Sequence, residues 1–270
     1  MTQPDYVHGY SPREAERLHD QADAVRDLLH HDSRFEPGSR VLEAGCGVGA
    51  QTITLARHNP ECQFTSIDIS GDSLCQAARL VRAQALANVR FQQTDIYALP
   101  YPDGAYDHVF ICYVLEHLTA PERALAELLR VTRPGGGLTV IEGDHGSCYF
   151  HPETQQARKA WQCLIDVQAS LHGDSLIGRR LYPLLRDAGL SDVVVSPRMV
   201  YADHSRPRVV EGFVGNTIIP MVEGVRQAAL ECGMIDAQTW DKGIADLRHI
   251  LSTQQGTFCY TFFKATGRKG

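Results

Sequence analysis

Glycines and acidic side chains near residue 45 occur in an order that suits the binding of a nucleotide-like ligand. Glu43 closes a short apolar run and is followed by Gly45, Gly47 and Gly49. Glycine permits tight turns and lets a ligand approach the backbone without a Cβ in the way. The helix predicted at 51–57 would add free N–H groups and the positive end of its dipole. We therefore predict a strand, a glycine loop and a helix that together hold a cofactor.

Two classes of cofactor fit this spacing. Gly45-x-Gly47-x-x-Ala50 agrees with the dinucleotide fingerprint, and Asp68 lies about 20 residues downstream, where an acid would bind a ribose. Glu43 separates the two classes, because a carboxylate there would repel a pyrophosphate but suits an ammonium or sulfonium centre. An NAD-dependent oxidoreductase is therefore the weaker interpretation.

A second polar group follows the fifth predicted strand, on what the pattern predicts to be a loop. Asp144, His145 and His151 are candidate proton acceptors, and His145 is the first choice. With Cys148 they resemble a set of metal ligands, but the spacing is not that of a closed zinc site, so we predict no metal. The candidates for positioning a substrate are Tyr10, Tyr149, Tyr201 and His204.

Alternating strand and helix patterns place these side chains in an α/β fold. Five such alternations predict a doubly wound, mostly parallel sheet with its ligand at the carboxyl ends of the strands. The predicted strands after the first are 63–70, 88–94, 106–112, 138–142, 193–201 and 257–265. The other predicted helices are 12–30, 72–86, 121–131, 153–171, 175–188, 209–218, 221–232 and 238–250.

Further motifs, in a fixed order over residues 40–142, add to the glycine loop. They are Phe91-x3-Asp95-x3-Leu99-Pro100, Tyr106-Asp107, Leu115-Glu116-His117-Leu118 and Arg133-Pro134-Gly135-Gly136-Gly137. This set resembles the class I, Rossmann-like methyltransferases that depend on S-adenosyl-L-methionine (SAM). The resemblance is to their small-molecule branch, which includes quinone-biosynthesis C-methyltransferases. It implies SAM as cofactor and S-adenosyl-L-homocysteine (SAH) as product.

The resemblance also implies an architecture and a set of cofactor contacts. It implies seven strands with an antiparallel last strand, divided as residues 1–36 (N-terminal helix), 37–202 (core), 203–254 (helical cap) and 255–270 (last strand). Asp68 would hold the ribose, and Asp95 with Ile96 would hold the adenine. The full implied set is Glu43, Gly45, Cys46, Gly47, Gly49, Asp68, Ile69, Asp95, Ile96, Cys112 and Tyr113. Glu116 and His117 are interpreted as structural.

Composition narrows the range of partners. A net charge of −6 argues against nucleic acid as the main partner. The polar start and the lack of a long apolar run predict no signal peptide and no membrane span, and hence a cytoplasmic protein.

A small organic acceptor, methylated on carbon, nitrogen or oxygen, is the expected substrate. The sequence is also compatible with a methyltransferase that acts on protein or nucleic acid, and with a SAM-binding protein that has no catalytic activity. Homo-oligomerisation is compatible with the sequence, which does not require it.

Overall fold

Seven strands form one sheet in the computed structural model, which describes residues 12–270 apart from the side chains of 12–16 and 19. Tyr10 lies outside the described residues. The strands are β1 (Arg40–Ala44), β2 (Gln63–Asp68), β3 (Val89–Gln93), β4 (Tyr106–Cys112), β5 (Thr132–His151), β6 (Leu190–Asp203) and β7 (Thr257–Lys269). Their order is β3-β2-β1-β4-β5-β7-β6. Strand β7 runs antiparallel to both of its neighbours, and β1 to β5 are parallel. The predicted fold is confirmed.

Neighbouring residues on the central strands point to opposite faces, and both faces are buried. Val41 and Phe110 belong to one cluster of buried apolar side chains, while Leu42 and Ile111 belong to another. This follows from the period of two along a strand. The chain order reverses between β1 and β4, so the ligand crevice is expected at the carboxyl ends of these strands.

Helices connect the strands and cover the sheet. They are α1 (Pro12–His30), α2 (Ala50–His58), α3 (Gly71–Ala83), α4 (Pro121–Val131), α5 (Gln155–Ser170), α6 (Leu181–Asp187), α7 (Pro207–Val209), α8 (Ile219–Gly224), α9 (Arg226–Glu231) and α10 (Ala237–Ser252). Short 3₁₀ segments occupy Leu115–His117 and Ile177–Arg180, and a π-helix occupies Val210–Ile218. The N-cap hydroxyls of Ser70 and Thr154 accept backbone N–H groups at the starts of α3 and α5. No helix among residues 12–270 is both long and apolar enough to cross a membrane.

The prediction of a loop after Glu142 is wrong. β5 continues to His151, because β7 is long enough to pair with it across that stretch. The strand pairing shifts register after Asp144, within the polar stretch. Beyond it, buried and exposed side chains alternate again, with Cys148 and Phe150 buried. Asp144 and His151 therefore pair with β7, and His145 lies in the irregular stretch of β5 between them.

Two predicted helices are divided in the structure. The segment predicted at 175–188 is a 3₁₀ turn followed by α6, which gives way to Gly189 with a φ of 95°. The segment predicted at 221–232 is broken at Val225 between α8 and α9. Helix α3 ends at Ala83, and Ala85 with a φ of 53° turns the chain away. Periodicity does not reveal these breaks, since the apolar spacing continues across them.

A buried lysine of β7 holds the end of α1 against the sheet. Lys264 Nζ donates to the carbonyl of Leu29 at 3.0 Å, to Asp32 Oδ1 at 2.6 Å and to Ser33 Oγ at 2.8 Å. These bonds fix the C-terminal end of α1, whose earlier turns lie over the site described next.

Candidate active site

The glycine loop joins β1 to α2 in a conformation that requires its glycines. Gly45 and Gly47 have φ values of 70° and 51°, in the left-handed region that side chains disfavour. A Cβ on Gly45 would lie 2.3 Å from Val114 Cγ2, whereas a Cβ on Gly47 would meet no described heavy atom within 4 Å. The loop is therefore packed against Val114 on one side and open at Gly47.

Asp68 ties this loop to the end of β2. Its Oδ2 accepts the N–H of Gly47 at 2.8 Å, and its Oδ1 accepts the N–H of Ser70 at 2.9 Å. Burial raises the pKa of Asp68, and these backbone N–H groups partly oppose the rise. The half-buried carboxylate lies beside the open side of the loop, where the predicted ribose would lie.

Glu43 lies beneath the loop. Its Oε2 accepts the hydroxyls of Thr52 at 2.8 Å and Ser66 at 2.6 Å, which links β1 to α2 and β2. Burial raises the pKa of Glu43 to about 7, although both hydroxyls oppose the rise. The structure thus gives Glu43 a role in supporting the loop, and its contact with a cofactor ammonium stays a prediction.

The remaining predicted cofactor residues lie around the same strand ends. Asp95 follows β3, and its Oδ1 accepts the N–H of Tyr97 at 2.8 Å. Ile69 and Ile96 are half-buried, as an apolar wall requires. Burial raises the pKa of the Cys46 and Cys112 thiols well above the usual value, so both remain protonated packing groups. The structure brings this set together, while the contacts themselves stay predictions.

The turn after β4 connects the loop to a second site. Tyr113 has a φ of 58° and lines a small cavity, whereas its neighbour Val114 contacts Gly45. Glu142 on β5 holds this turn, because its Oε1 accepts the N–H groups of Val114 at 3.0 Å and Leu115 at 2.8 Å. Two adjacent residues, Tyr113 and Val114, therefore contact the cavity and the predicted cofactor loop, respectively.

The cavity has a volume of about 50 Å³ and lies between the sheet, α1 and the helices that follow β6. Its lining combines ionisable and aromatic side chains with apolar ones. The lining residues are Arg17, Leu18, Gln21, Tyr113, Glu116, His117, Gly143, His145, Thr217, Ile218, Met221, Tyr260 and Phe262. Space of this size holds a few waters or one small functional group.

His145 is held in this cavity by both of its backbone polar groups and by one ring nitrogen. Its backbone N–H donates to Ser175 O at 2.9 Å, and its carbonyl accepts Trp161 Nε1 at 2.8 Å. Ring atom Nδ1 lies 2.8 Å from the Tyr260 hydroxyl, while Nε2 has no hydrogen-bond partner among the described residues. Burial, aided by the positive charge of Arg17, lowers the pKa of His145 to about 3. The imidazole is therefore neutral at pH 7.

Glu116 and His117 also face the cavity, although their motif predicts structural roles. Burial raises the pKa of Glu116 to about 7, while the amide of Gln168 opposes the rise. Gln168 Nε2 donates to the Glu116 carbonyl at 3.1 Å and approaches its Oε2 at 3.4 Å. Burial lowers the pKa of His117 to about 3.

The other predicted site residues do not line the cavity. Asp144 is buried in a two-bond ion pair with Arg179, at 2.8 Å for each bond. His151 is exposed at the end of β5, and Tyr149 and Tyr201 are 65% and 40% exposed. The catalytic and substrate roles assigned to these residues stay predictions.

A larger groove opens beside the cavity, with a volume of about 840 Å³. Arg17 lines both spaces, so it stands between them. His204 lies in the groove wall, with Nε2 2.6 Å from the carbonyl of Thr253. The apolar part of the wall comes from Val210, Ile219, Pro220 and Leu251.

Several residues of the site were not predicted from the sequence. Tyr260 could have been found, because inward-facing aromatics occupy every second position around it in β7. No sequence pattern indicates the roles of Arg17 and Glu142, because these roles depend on which elements pack together in the fold. Among residues 12–270 no group of three or more histidine, cysteine, aspartate or glutamate side chains could hold a metal ion.

Comparisons with known proteins agree with this geometry. A family model described as a methyltransferase domain matches residues 35–189. An uncharacterized 37.1 kDa protein in transposon TN4556 of Streptomyces fradiae is 35% identical over 201 residues, or 73% of this chain and 57% of that protein. A ubiquinone/menaquinone biosynthesis C-methyltransferase of Teredinibacter turnerae is 39% identical over 132 residues, or 48% of this chain and 50% of that protein.

The fold also matches solved structures. The cyclase SpnF has a TM-score of 0.52 and 23% identity, over 98% of this chain and 85% of that one.

The chain spans about half the length of the first curated relatives it matches. The family model nevertheless covers more than half of the 270 residues, including the loop and β4. This chain therefore belongs to the family of Rossmann-like methyltransferases that use SAM as cofactor.

Proposed function

We propose that this protein transfers a methyl group from SAM to a small organic acceptor whose reacting group enters the cavity beside His145. When bound, SAM supplies an electrophilic methyl carbon on a sulfonium. The protein has to hold the acceptor in line with that carbon and to exclude water. The observation that carries the proposal is a small cavity that contains an unpaired buried polar atom and is lined by Tyr113, whose neighbour Val114 contacts the glycine loop.

The residues around the loop suit SAM. The open backbone at Gly47 leaves room for a ligand, and the Asp68 carboxylate beside it suits ribose hydroxyls. Half-buried Ile69 and Ile96 would flank an adenine. We propose that these residues, with Asp95, hold the cofactor, as the family motif implies.

The cavity and groove together suit a small molecule in two parts. The reacting group would occupy the cavity, and the larger groove beyond Arg17 would receive the rest of the acceptor. Tyr113 and Phe262, with ring centroids 5.3 Å apart, form an aromatic wall that favours a planar, quinone-like or natural-product acceptor. Residues 203–254 would act as the cap over it. A buried site of this shape disfavours protein or nucleic acid as acceptor.

The experiment is methyl transfer from SAM carrying a labelled methyl group to a panel of small phenols, quinols, amines and carboxylic acids. The proposal predicts labelled product with at least one class, and at least about a tenfold loss of turnover in His145→Ala with SAH binding retained. Unchanged turnover in that variant would remove the cavity from the site. Absence of transfer to every class would favour a non-catalytic SAM-binding protein.

A further inference from the structure

The two ring nitrogens of His145 have different surroundings. Nδ1 faces the Tyr260 hydroxyl at 2.8 Å, while Nε2 has no partner among the described residues. Two backbone hydrogen bonds, to Ser175 O and from Trp161 Nε1, fix the residue on both sides. The contact of Nδ1 with Tyr260 leaves Nε2 as the ring nitrogen that a ligand in the cavity can meet.

Tyr260 pairs with Nδ1 in both tautomers, as the donor in one and as the acceptor in the other. Its hydroxyl is buried, and His145 Nδ1 is the acceptor that the described residues offer to its hydrogen. If Nδ1 carried the ring hydrogen, the Tyr260 hydrogen would lack an acceptor among the described residues; if Nε2 carries it, that N–H is instead the unpaired donor left for a ligand in the cavity. Burial raises the pKa of Tyr260 well above its usual value, so the hydroxyl keeps its proton. A ligand oxygen that accepts from Nε2–H therefore favours the tautomer in which Tyr260 donates to Nδ1.

We propose that His145 acts as an N–H donor instead of a base, and that its Nε2–H and the guanidinium of Arg17 bind a negatively charged oxygen of the acceptor. Arg17 lines the same cavity and is buried, so its charge acts across little water. The inference rests on the proposed function in one respect, namely that the anion belongs to the methyl acceptor.

The other ionisable groups around the cavity agree with an anionic ligand. His117 and His145 are neutral at pH 7, and the hydroxyls of Tyr113 and Tyr260 keep their protons because burial raises both pKa values. Glu116 is the remaining acid in the lining, and burial raises its pKa to about 7. Below pH 7 Glu116 takes up a proton, which removes a negative charge from the lining of the cavity. Anion binding is therefore expected to strengthen as the pH falls through 7.

This charge pattern selects the class of acceptor. An ionised hydroxyl, as in a phenolate or enolate, and a carboxylate both carry such an oxygen. An acceptor that enters as an anion already holds the electron pair that forms the new bond. No proton then has to leave during transfer, so the cavity needs hydrogen-bond donors and no base.

The tautomer can be measured directly on protein labelled with ¹⁵N in its histidines. Long-range ¹H–¹⁵N correlation spectra distinguish a protonated from an unprotonated ring nitrogen, and His145→Gln assigns the resonance by its disappearance. We expect a protonated Nε2 and an unprotonated Nδ1 at pH 7. A protonated Nδ1 would overturn the proposal. This measurement requires neither SAM nor turnover, so it stands apart from the proposed function.

The anion site is tested by titrating acetate, with acetamide as the neutral control, while following the His145 Nε2 resonance or Trp161 fluorescence. Titration of 4-nitrophenol forms the second arm, because its absorption shows whether it binds as the phenolate. We expect acetate or the phenolate to bind at least about tenfold more tightly than acetamide. Saturable binding of acetate would indicate that the acceptor is a carboxylate. Binding of 4-nitrophenol in its ionised form would indicate that the acceptor is a phenolate. Equal binding of acetamide, or no binding by either anion, would overturn the proposal.

Variants separate a donor from a base. Gln at position 145 keeps an N–H where Nε2–H lies but cannot take up a proton, so His145→Gln is expected to retain probe binding within about threefold, measured by Trp161 fluorescence. His145→Ala and Arg17→Gln are expected to weaken it at least about tenfold. If labelled methyl transfer is found, His145→Gln should also retain turnover. Loss of turnover in His145→Gln with anion binding intact would instead identify His145 as a base.

Discussion

At the scale of single residues, the contact between His145 and Tyr260 depends on the lack of a side chain at Gly143. A Cβ there would lie 2.3 Å from the Tyr260 hydroxyl oxygen, closer than any real contact. Gly143→Ala is therefore expected to displace the hydroxyl from His145. Turnover should fall at least about tenfold, while the affinity for SAH, measured by calorimetry, should stay within about threefold.

The control for that variant is Gly212→Ala. A Cβ on Gly212 would lie 3.5 Å from Ala24 Cβ, an ordinary van der Waals distance, and its φ is not in the left-handed region. Turnover and SAH binding should both be unchanged. If Gly143→Ala behaved like Gly212→Ala, the Tyr260 contact would have no part in the reaction.

Glu43 is expected to make stability depend on pH. Its pKa is raised from 4.5 to about 7 in the folded state, so it contributes stability that is fully present below about pH 4.5. This contribution is lost as the pH rises through 7, at roughly 1.4 kcal/mol for each unit of the pKa difference. Urea unfolding at pH 5 and pH 8 should show wild type losing more stability than Glu43→Gln.

Glu116 and Glu142 shift in the same direction, but both remain in the variant, so the comparison isolates Glu43. Equal losses of stability in wild type and Glu43→Gln over this range would show that Glu43 does not bind its proton more tightly when folded.

At the scale of elements, Lys264 is expected to stabilise the end of α1. Lys264→Met removes three hydrogen bonds from a buried ammonium to the segment that ends α1. We expect unfolding free energy to fall by about 1–3 kcal/mol and the α1 amides to exchange faster with solvent.

Lys242→Met is the matched control for this variant. Lys242 pairs with Asp246 at an exposed position one helical turn away, and such pairs contribute about 0–1 kcal/mol. Equal effects of the two substitutions would mean that the Lys264 contacts do not hold α1 in place.

Elements with a strong local pattern could be predicted from the sequence. The bounds of β4 and α4 agree with the prediction at both ends, since each is a continuous apolar or amphipathic run between turn residues. The second half of β5 could not be predicted, because its polar residues form a strand through pairing with β7. The segment 209–218 is predicted to be a helix, but its apolar spacing does not show that Val210–Ile218 is a π-helix.

At the scale of the whole molecule, the predicted cofactor site and the cavity differ in how far the sequence reveals them. The loop, Asp68 and Asp95 belong to short motifs whose order along the chain predicts a common strand edge. The cavity joins His145 to Tyr260, 115 positions away, and to Arg17 on α1. Local periodicity says which face of an element is buried but not which other element covers it, so these neighbours required the structure.

Calorimetric titration of the protein with SAM, SAH and NAD in parallel tests whether the glycine loop and Asp68 bind SAM. We predict binding of SAM and SAH, no binding of NAD, and at least about a tenfold weaker affinity for SAH in Asp68→Ala. Binding of NAD alone, or SAH affinity that is unchanged in Asp68→Ala, would contradict this cofactor site.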